Sequence, residues 1–518
     1  MSKLFSYLEP DDESIPLVKG WKLILGYAGY FMFCIGIFLF LPLLNLIWFP
    51  EDSSYALDFI IPGACFLLVG ALLYFLLIHK KRHAQLETHQ DAFIVLLCWL
   101  LSIFACIIPF MTSGLFDFSQ AVFETTSGLT TTGLSIVADY ETFPKIFFLY
   151  RSFTHLVGGI GLILIMISAL SDRYGMRLYS SEGHYDKFLP NVIKSSRTIL
   201  IIYFGFILAG IIGFCCCGLR MFDAINYSIS AVATGGFGVH AENIGYYDSI
   251  GVEVVAIVLM LLGSINFLAH IYLFKGKFKN FFNYAENKTM LLILAIFIPV
   301  ASMGLFYTAA SSMSMSEAWR IGAFQVISAL STAGLQNTTL VASGVNQTSS
   351  ALLFILIICM WIGGQTNSTA GGIKIFRINI MFKSIYMKIR NSLAKDNTLH
   401  YYKFCQVDED VLLTPNMAYE SNLFILTYMV TFFITVIIFT LFGINFEQAS
   451  FEAASTLGTV GLSSGMFTVN SPSFLLIFAS IVMVLGRLEI YVVFYGFIYA
   501  FKKPYRIISD HINMKRKR

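Results

Sequence analysis

Ten apolar runs of about 20 residues recur along the chain, roughly at residues 22 to 48, 57 to 79, 92 to 111, 145 to 170, 198 to 217, 251 to 274, 289 to 309, 350 to 372, 421 to 443 and 473 to 500. Runs of that length match a hydrocarbon core about 30 Å thick. No water reaches that core to satisfy a backbone amide, so the chain is held to crossing helices and to irregular segments that line a polar cavity. Composition agrees, with 57% of the 518 residues hydrophobic and 13% charged. The sequence therefore specifies an all-α polytopic membrane protein. The first run begins only at Trp21, after EPDDESIP and with no small-residue cleavage site, so we expect the amino terminus to stay attached. The nine cysteines show neither zinc-ligand nor secreted-framework spacing, and no disulfide or metal cluster is expected.

Lysine and arginine set the orientation, because cationic segments translocate poorly. Of the 34, 29 fall in six segments, at 1 to 22, 80 to 82, 173 to 197, 275 to 288, 374 to 403 and 502 to 518. Ten crossings put all six on one side. Both termini are then cytoplasmic, and EDSSY, ADYETFP, HAENIGYYDS and VASGVNQTSS face outward with almost no cations.

Four outward segments share a pattern: SGLTTTGL from Ser127, SAVATGGF from Ser230, SALSTAGL from Ser328 and STLGTVGL from Ser455. Each reads Ser, three residues, Thr, one residue, Gly, then Leu or Phe. Taken singly, each is as readily a Ser/Thr/Gly-rich turn; four in register argue for an internal repeat. A short amphipathic run of two to three helical turns precedes each, too short to cross. The repeat divides the chain into an amino-terminal two-helix domain (1–90) and pore repeats at 91–172, 173–280, 281–400 and 401–518, the last with the C-terminal tail.

Four re-entrant units around one axis would bring four Thr-x-Gly segments to a single constriction, where backbone carbonyls replace the water of a dehydrating cation. The candidate ion-binding residues are Thr131, Thr132 and Gly133; Thr234, Gly235 and Gly236; Thr332, Ala333 and Gly334; and Thr459, Val460 and Gly461. The glycines allow backbone conformations closed to other residues and leave the pore unobstructed. The threonines add hydroxyl oxygens, and the short helices point partially negative C-terminal ends at the axis. Three residues before each motif serine stand Glu124, Tyr227, Gln325 and Glu452. The two glutamates and the glutamine are expected to hold the filter backbone by hydrogen bonds, although a pore-helix glutamate serves equally as a solvated loop residue.

Two features lie within later runs. IGGQTNSTAGGIK, from Ile362, collects Gly363, Gly364, Gln365, Thr366, Asn367, Ser368, Thr369, Ala370, Gly371 and Gly372 near the middle of the eighth. A kinked packing helix is the plainer reading, but so many helix breakers argue for a real interruption. No Gly-Lys-Ser/Thr follows, so it is not a phosphate loop. Arg487 is a cation well inside the tenth run, where buried charge is costly enough to mark function. Glu489 is the nearby acid, but residues two apart on a helix face different ways. The lone histidines His155 and His270 read as packing residues.

These residues resemble the Trk/Ktr/HKT superfamily of potassium transporters, whose single chains hold four membrane-pore-membrane units, and the resemblance covers residues 92 to 500. HLVGGIGLI from His155, IGGQTNSTAGGIK, VLGRLEIY from Val484 and two extra amino-terminal spans resemble the Trk membrane subunit in particular. The fourth filter, TVGLSSG, departs toward the Ktr pattern. The resemblance implies K+ as the transported ion at the filter residues, with glycine in all four marking potassium preference. It implies a gate at 363–372 beneath the filter, with Arg487 matching the GRLE arginine. It further implies a homodimer on a cytoplasmic nucleotide-binding regulatory subunit (TrkA-like), and no cofactor in this chain.

The expected function is potassium uptake across a bacterial inner membrane. Proton- or sodium-coupled symport and a less selective monovalent cation transporter are the alternatives. A carrier built of inverted repeats needs units of opposite orientation, whereas all four here start inside. An enzyme is disfavoured, since no span carries metal-ligand spacing or a nucleophile-base motif. The net charge of +3 is explained by topology and suggests no nucleic acid.

Overall fold

The computed structural model of the chain describes residues 17–18, 20–79, 82–83, 90–161, 192–308, 313–340, 349–393, 403–406 and 409–500. Among these, six helices have the length and apolarity to cross a membrane: Trp21–Ile47, Pro50–Leu77, Gln90–Thr112, Arg197–Cys216, Ala285–Tyr307 and Pro415–Leu441. The first two form an antiparallel hairpin ahead of the repeats. Its seam is built on glycine: a side-chain carbon on Gly36 would press on the backbone of Leu67 and Gly63, and one on Gly70 on that of Phe33 and Gly29. Apolar helices in lipid gain little hydrophobic energy from each other, so close backbone approach through small residues supplies the packing.

The hairpin's turn, read from sequence as an outer loop, is tied into the body of the protein. Asp52 is buried, and its carboxylate accepts from the Ile146 amide at 2.7 Å and the Asn45 side chain at 3.1 Å. It thereby caps helix Lys145–Ile160, whose own N-cap residue, Pro144, makes no side-chain cap. Losing such a cap costs roughly 1 kcal/mol. Asp52→Ala is therefore expected to lower the unfolding midpoint in detergent by about 2 °C, with Asp52→Asn close to wild type; an unchanged alanine variant would show the cap to be idle.

Four units follow, each with a first, a short and a second helix. They are Gln90–Thr112, Phe118–Leu129 and Lys145–Ile160; Val192–Cys216, Met221–Val232 and Ile250–Ser264; Ala285–Thr308, Met315–Leu330 and Ser350–Ile362; and Pro415–Leu441, Phe446–Leu457 and Ser473–Arg487. Each second helix packs on the next unit's short helix, and Ser473–Arg487 packs back on Phe118–Leu129. The ring closes, giving four membrane-pore-membrane repeats about a pseudo-fourfold axis. Three short helices start at caps written in the sequence. Asp117 and Gln120 form a capping box, Ser314 accepts from the Glu317 amide, and Asn445 accepts from the Gln448 amide.

The second helices correct the sequence reading, which had each crossing in full and only the eighth run broken. They span 16, 15, 13 and 15 residues, against about 20 for a crossing. They stop at Gly161 (φ 90°), at Ile265, at Gly363 (φ 69°), and at Leu488 just before Glu489 (φ 58°). Past the break, the fourth unit continues as Ile490–Ala500 at 105° to the preceding helix. Residues 162–170 of the fourth run lie outside the described residues. Close to these breaks the second helices approach the short helices through glycine. A side-chain carbon on Gly158, Gly263 or Gly486 would meet the carbonyl of Leu129, Val232 or Leu457, the last residue of its own unit's short helix. Hydropathy sums across such a break and does not register it. Two small sheets, Leu17–Val18 with Arg82–His83 and Lys403–Gln406 with Glu409–Leu412, add to the otherwise all-α architecture.

Candidate functional site

All four short helices end alike. Thr131, Thr234, Thr332 and Thr459 have φ of 54°, 51°, 55° and 50°. A β-branched residue in the left-handed region is a true outlier and costs on the order of 1–3 kcal/mol. The next amide turns back to the motif serine's carbonyl: Thr132 to Ser127 at 2.9 Å, Gly235 to Ser230 at 2.8 Å, Ala333 to Ser328 at 3.0 Å and Val460 to Ser455 at 2.9 Å. In a trans peptide the N–H and C=O point opposite ways. The carbonyls of the four threonines are therefore turned away from the helix ends.

The glycines lock these segments together. Gly133, Gly236, Gly334 and Gly461 have φ of 85°, 87°, 68° and 95°. A side-chain carbon on Gly133 would meet the carbonyl of Gly235, one on Gly236 that of Ala333, one on Gly334 that of Val460, and one on Gly461 that of Thr132, all at or inside 3.0 Å. The contacts run round the axis in one sense and close on the first unit. Thr132–Gly133, Gly235–Gly236, Ala333–Gly334 and Val460–Gly461 thus abut one another in a closed ring, where space and φ both require glycine. Oγ1 of Thr131 and of Thr459 is buried with no hydrogen-bond partner. An oxygen-rich ring with unpaired hydroxyls at the ends of four helix dipoles suits a monovalent cation.

Behind the ring, Glu124 accepts from the Ser135 hydroxyl at 2.9 Å and the Ile136 amide at 3.1 Å, and pairs with Arg151 at 2.9 Å. Glu452 accepts from the Ser463 hydroxyl at 2.9 Å and the Ser464 amide at 2.7 Å. Gln325 donates to the Asn337 side chain at 3.2 Å. Each support reaches the segment two to three residues beyond its glycine. In the second unit, Asn243 donates directly to the Gly236 carbonyl at 2.9 Å.

Residues 363–372 lie against the threonine side of the ring. The Gly371 amide donates to Thr332 Oγ1 at 2.8 Å, Thr234 Oγ1 donates to Thr369 Oγ1 at 3.1 Å, and Gly371 stands against Thr459 Oγ1. The loop's neck is pinched where the Ile373 and Lys374 amides donate to the Trp361 and Ile362 carbonyls, each at 2.9 Å. Its far side rests on the second unit's break, with Gln365 and Thr369 amides donating to the carbonyls of Ser264 at 3.0 Å and Gly263 at 3.2 Å. Arg487 reaches the same place. Its guanidinium donates to the Thr369 carbonyl at 2.6 Å, to the Gly158 carbonyl, and to the Gly159 carbonyl at 3.4 Å. It ties the loop to the first and fourth units.

The family model described as TrkH, cation transport protein, matches residues 57–503. The chain belongs to the TrkH family. It is 29% identical over 499 residues to the Trk system potassium uptake protein TrkG of Escherichia coli, covering 92% of this chain and 98% of that one. An uncharacterised cation transporter of Methanocaldococcus jannaschii is 28% identical over 491 residues, 94% of this chain and 97% of the other. The crystal structure of the potassium transporter TrkH from Vibrio parahaemolyticus superposes with a TM-score of 0.79 at 22% identity, covering 92% of this chain and 98% of that one. As a TrkH-family member it is a multi-pass membrane transporter and not an enzyme.

Several residues of this TrkH-family chain that bear on the site carry no signal in the repeat. Arg151 lies 4.0 Å from the Phe237 ring centre as well as beside Glu124. His155, read as packing, stacks on Phe237 at 4.3 Å and stands against the backbone of Gly235. Glu286, at the start of a crossing helix, accepts from the Thr366 amide at 3.1 Å and hydroxyl at 2.9 Å. Asn287 accepts from Gln365 at 2.6 Å. Glu489 accepts from Arg377 at 2.7 Å. Each lies far in sequence from the group it serves, so spacing could not reveal it.

Proposed function

We propose that this chain moves potassium across the cytoplasmic membrane through the ring of Thr-x-Gly segments, with residues 363–372 and Arg487 forming the inner barrier. The ring carries the reading. Four left-handed threonines, four amides turned back into helix ends and four glycines too crowded for a side chain leave carbonyl oxygens as the available ligands for a dehydrated cation. Glycine in all four units, and the likeness to a Trk system potassium uptake protein, favour potassium over sodium. The ion is cargo, and no cofactor is assigned to the chain.

The rest of the proposal follows the cation map and the resemblance. Both termini face the cytoplasm, the unit boundaries fall near residues 90, 172, 280 and 400, and the cations of segments 275–288 and 374–420, of which 394–402 and 407–408 lie outside the described residues, are those expected to meet a nucleotide-binding regulatory subunit beneath a homodimer. Purified protein in liposomes is expected to take up rubidium and potassium, with sodium a minor fraction. Equal sodium and rubidium uptake would overturn the selectivity. Uptake that appears only under an imposed proton or sodium gradient would favour the symport alternative, which uses the same ring.

A further inference from the structure

We infer that Glu253 is a specificity-determining positioning residue, supplying from the neighbouring unit the carboxylate that the third unit's short helix lacks at the place of Glu124 and Glu452. The inference rests on the filter reading above. Units one and four carry Glu124 and Glu452 on their short helices, and each accepts hydrogen bonds from the segment just past its glycine. Unit three has Gln325 at that place. Its Nε2 donates to Asn337 Oδ1 at 3.2 Å, and Asn337 Nδ2 donates onward to Glu253 Oε1 at 3.1 Å. Glu253 belongs to Ile250–Ser264, the second helix of unit two, and is buried.

The relay runs one way, from amide to amide to carboxylate. An ionised carboxylate only accepts, so Glu253 fixes the orientation of both amides. Arg320, on the third unit's short helix, holds Glu253 in turn, with Nε on Oε2 at 2.8 Å and Nη2 on Oε1 at 3.1 Å, and reaches Asp248 at 2.8 Å. Unit one also carries a buried acid–base pair between a short and a second helix, but within the unit, with the acid Glu124 on the short helix and the base Arg151 on the second. The seam is closed further by the Gly245 amide on the Gln336 carbonyl at 3.2 Å. Asn337 stands three residues beyond Gly334, which itself abuts the Val460 carbonyl. A displacement of Asn337 therefore passes into the ring.

Two variants separate this role from a fold-holding one. Asn337→Leu removes the relay and leaves the Arg320–Glu253 pair intact. Glu253→Leu combined with Arg320→Met removes the pair together, so that no lone charge stays buried. Rubidium and sodium uptake per inserted molecule is measured in liposomes, and the difference between potassium- and sodium-induced thermal stabilisation in detergent. Both variants are expected to lose discrimination several-fold while total monovalent uptake persists, and to lose the potassium-specific stabilisation. Wild-type discrimination in both overturns the inference alone. A wild-type protein that does not separate the two ions overturns the filter reading and this inference with it.

Discussion

Replacing Arg487 with alanine is expected to raise potassium flux by up to about a hundredfold. At an effective dielectric of about 20, a positive charge about 6 Å from the permeating ion opposes it by about 3 kcal/mol, which is about a hundredfold in rate. The guanidinium also donates to the Thr369 carbonyl at 2.6 Å and to the Gly158 carbonyl, so its loss frees the loop in the same direction. Arg487→Lys separates the two effects, since it keeps the charge and gives up the planar fork that spans two units. A charge barrier predicts lysine flux near wild type; a tether predicts a rise. Sodium rejection should persist in every case because the ring is untouched. An arginine serving only the fold would instead give a poorly inserted alanine variant with lower flux per molecule.

The second large effect is expected from Gly133→Ser, which should admit sodium. The new Cβ would run into the Gly235 carbonyl and the Gly236 Cα, at a residue whose φ is 85°. A left-handed conformation costs a residue with Cβ roughly 1–2 kcal/mol, before any clash is counted. A ring distorted enough to remove about 1.4 kcal/mol of the difference between the two ions' binding would lose about tenfold in discrimination. Gly461→Ser, set against the Thr132 carbonyl, should behave alike. Gly205 has open space around its Cβ position, and Gly205→Ser should keep wild-type selectivity. Full sodium rejection by Gly133→Ser would show that these glycines do not set the ion's ligand cage.

Residues local in sequence were legible without the fold. The repeat at Ser127, Ser230, Ser328 and Ser455 located the four short helices and the Thr-x-Gly segments, because capping, helix length and glycine placement are decided within a few residues of chain. The breakers between Gly363 and Gly372 likewise announced an interruption. The breaks in the other three second helices were hidden, since an apolar run has the same hydropathy whether straight or bent. The left-handed threonines were hidden too. Threonine in isolation avoids that conformation, and here the following amide's bond back to the motif serine carbonyl closes the helix end around it.

Glu124, Gln325 and Glu452 were marked by their place in the repeat, but the partners that hold the buried charges came from tertiary structure alone. Arg151 reaches Glu124 across 27 positions, Glu286 reaches Thr366 across 80, and Glu253 serves Asn337 across 84. Glutamate and arginine at such separations carry no periodic signal, and hydropathy marks them only as exceptions within apolar runs. Sequence determined the number and kind of the units, because burial of apolar length in lipid is a one-dimensional constraint. Only packing within and between the units decided which buried charge meets which partner, because a charge in a low-dielectric interior is stable only where a complementary group is brought to it.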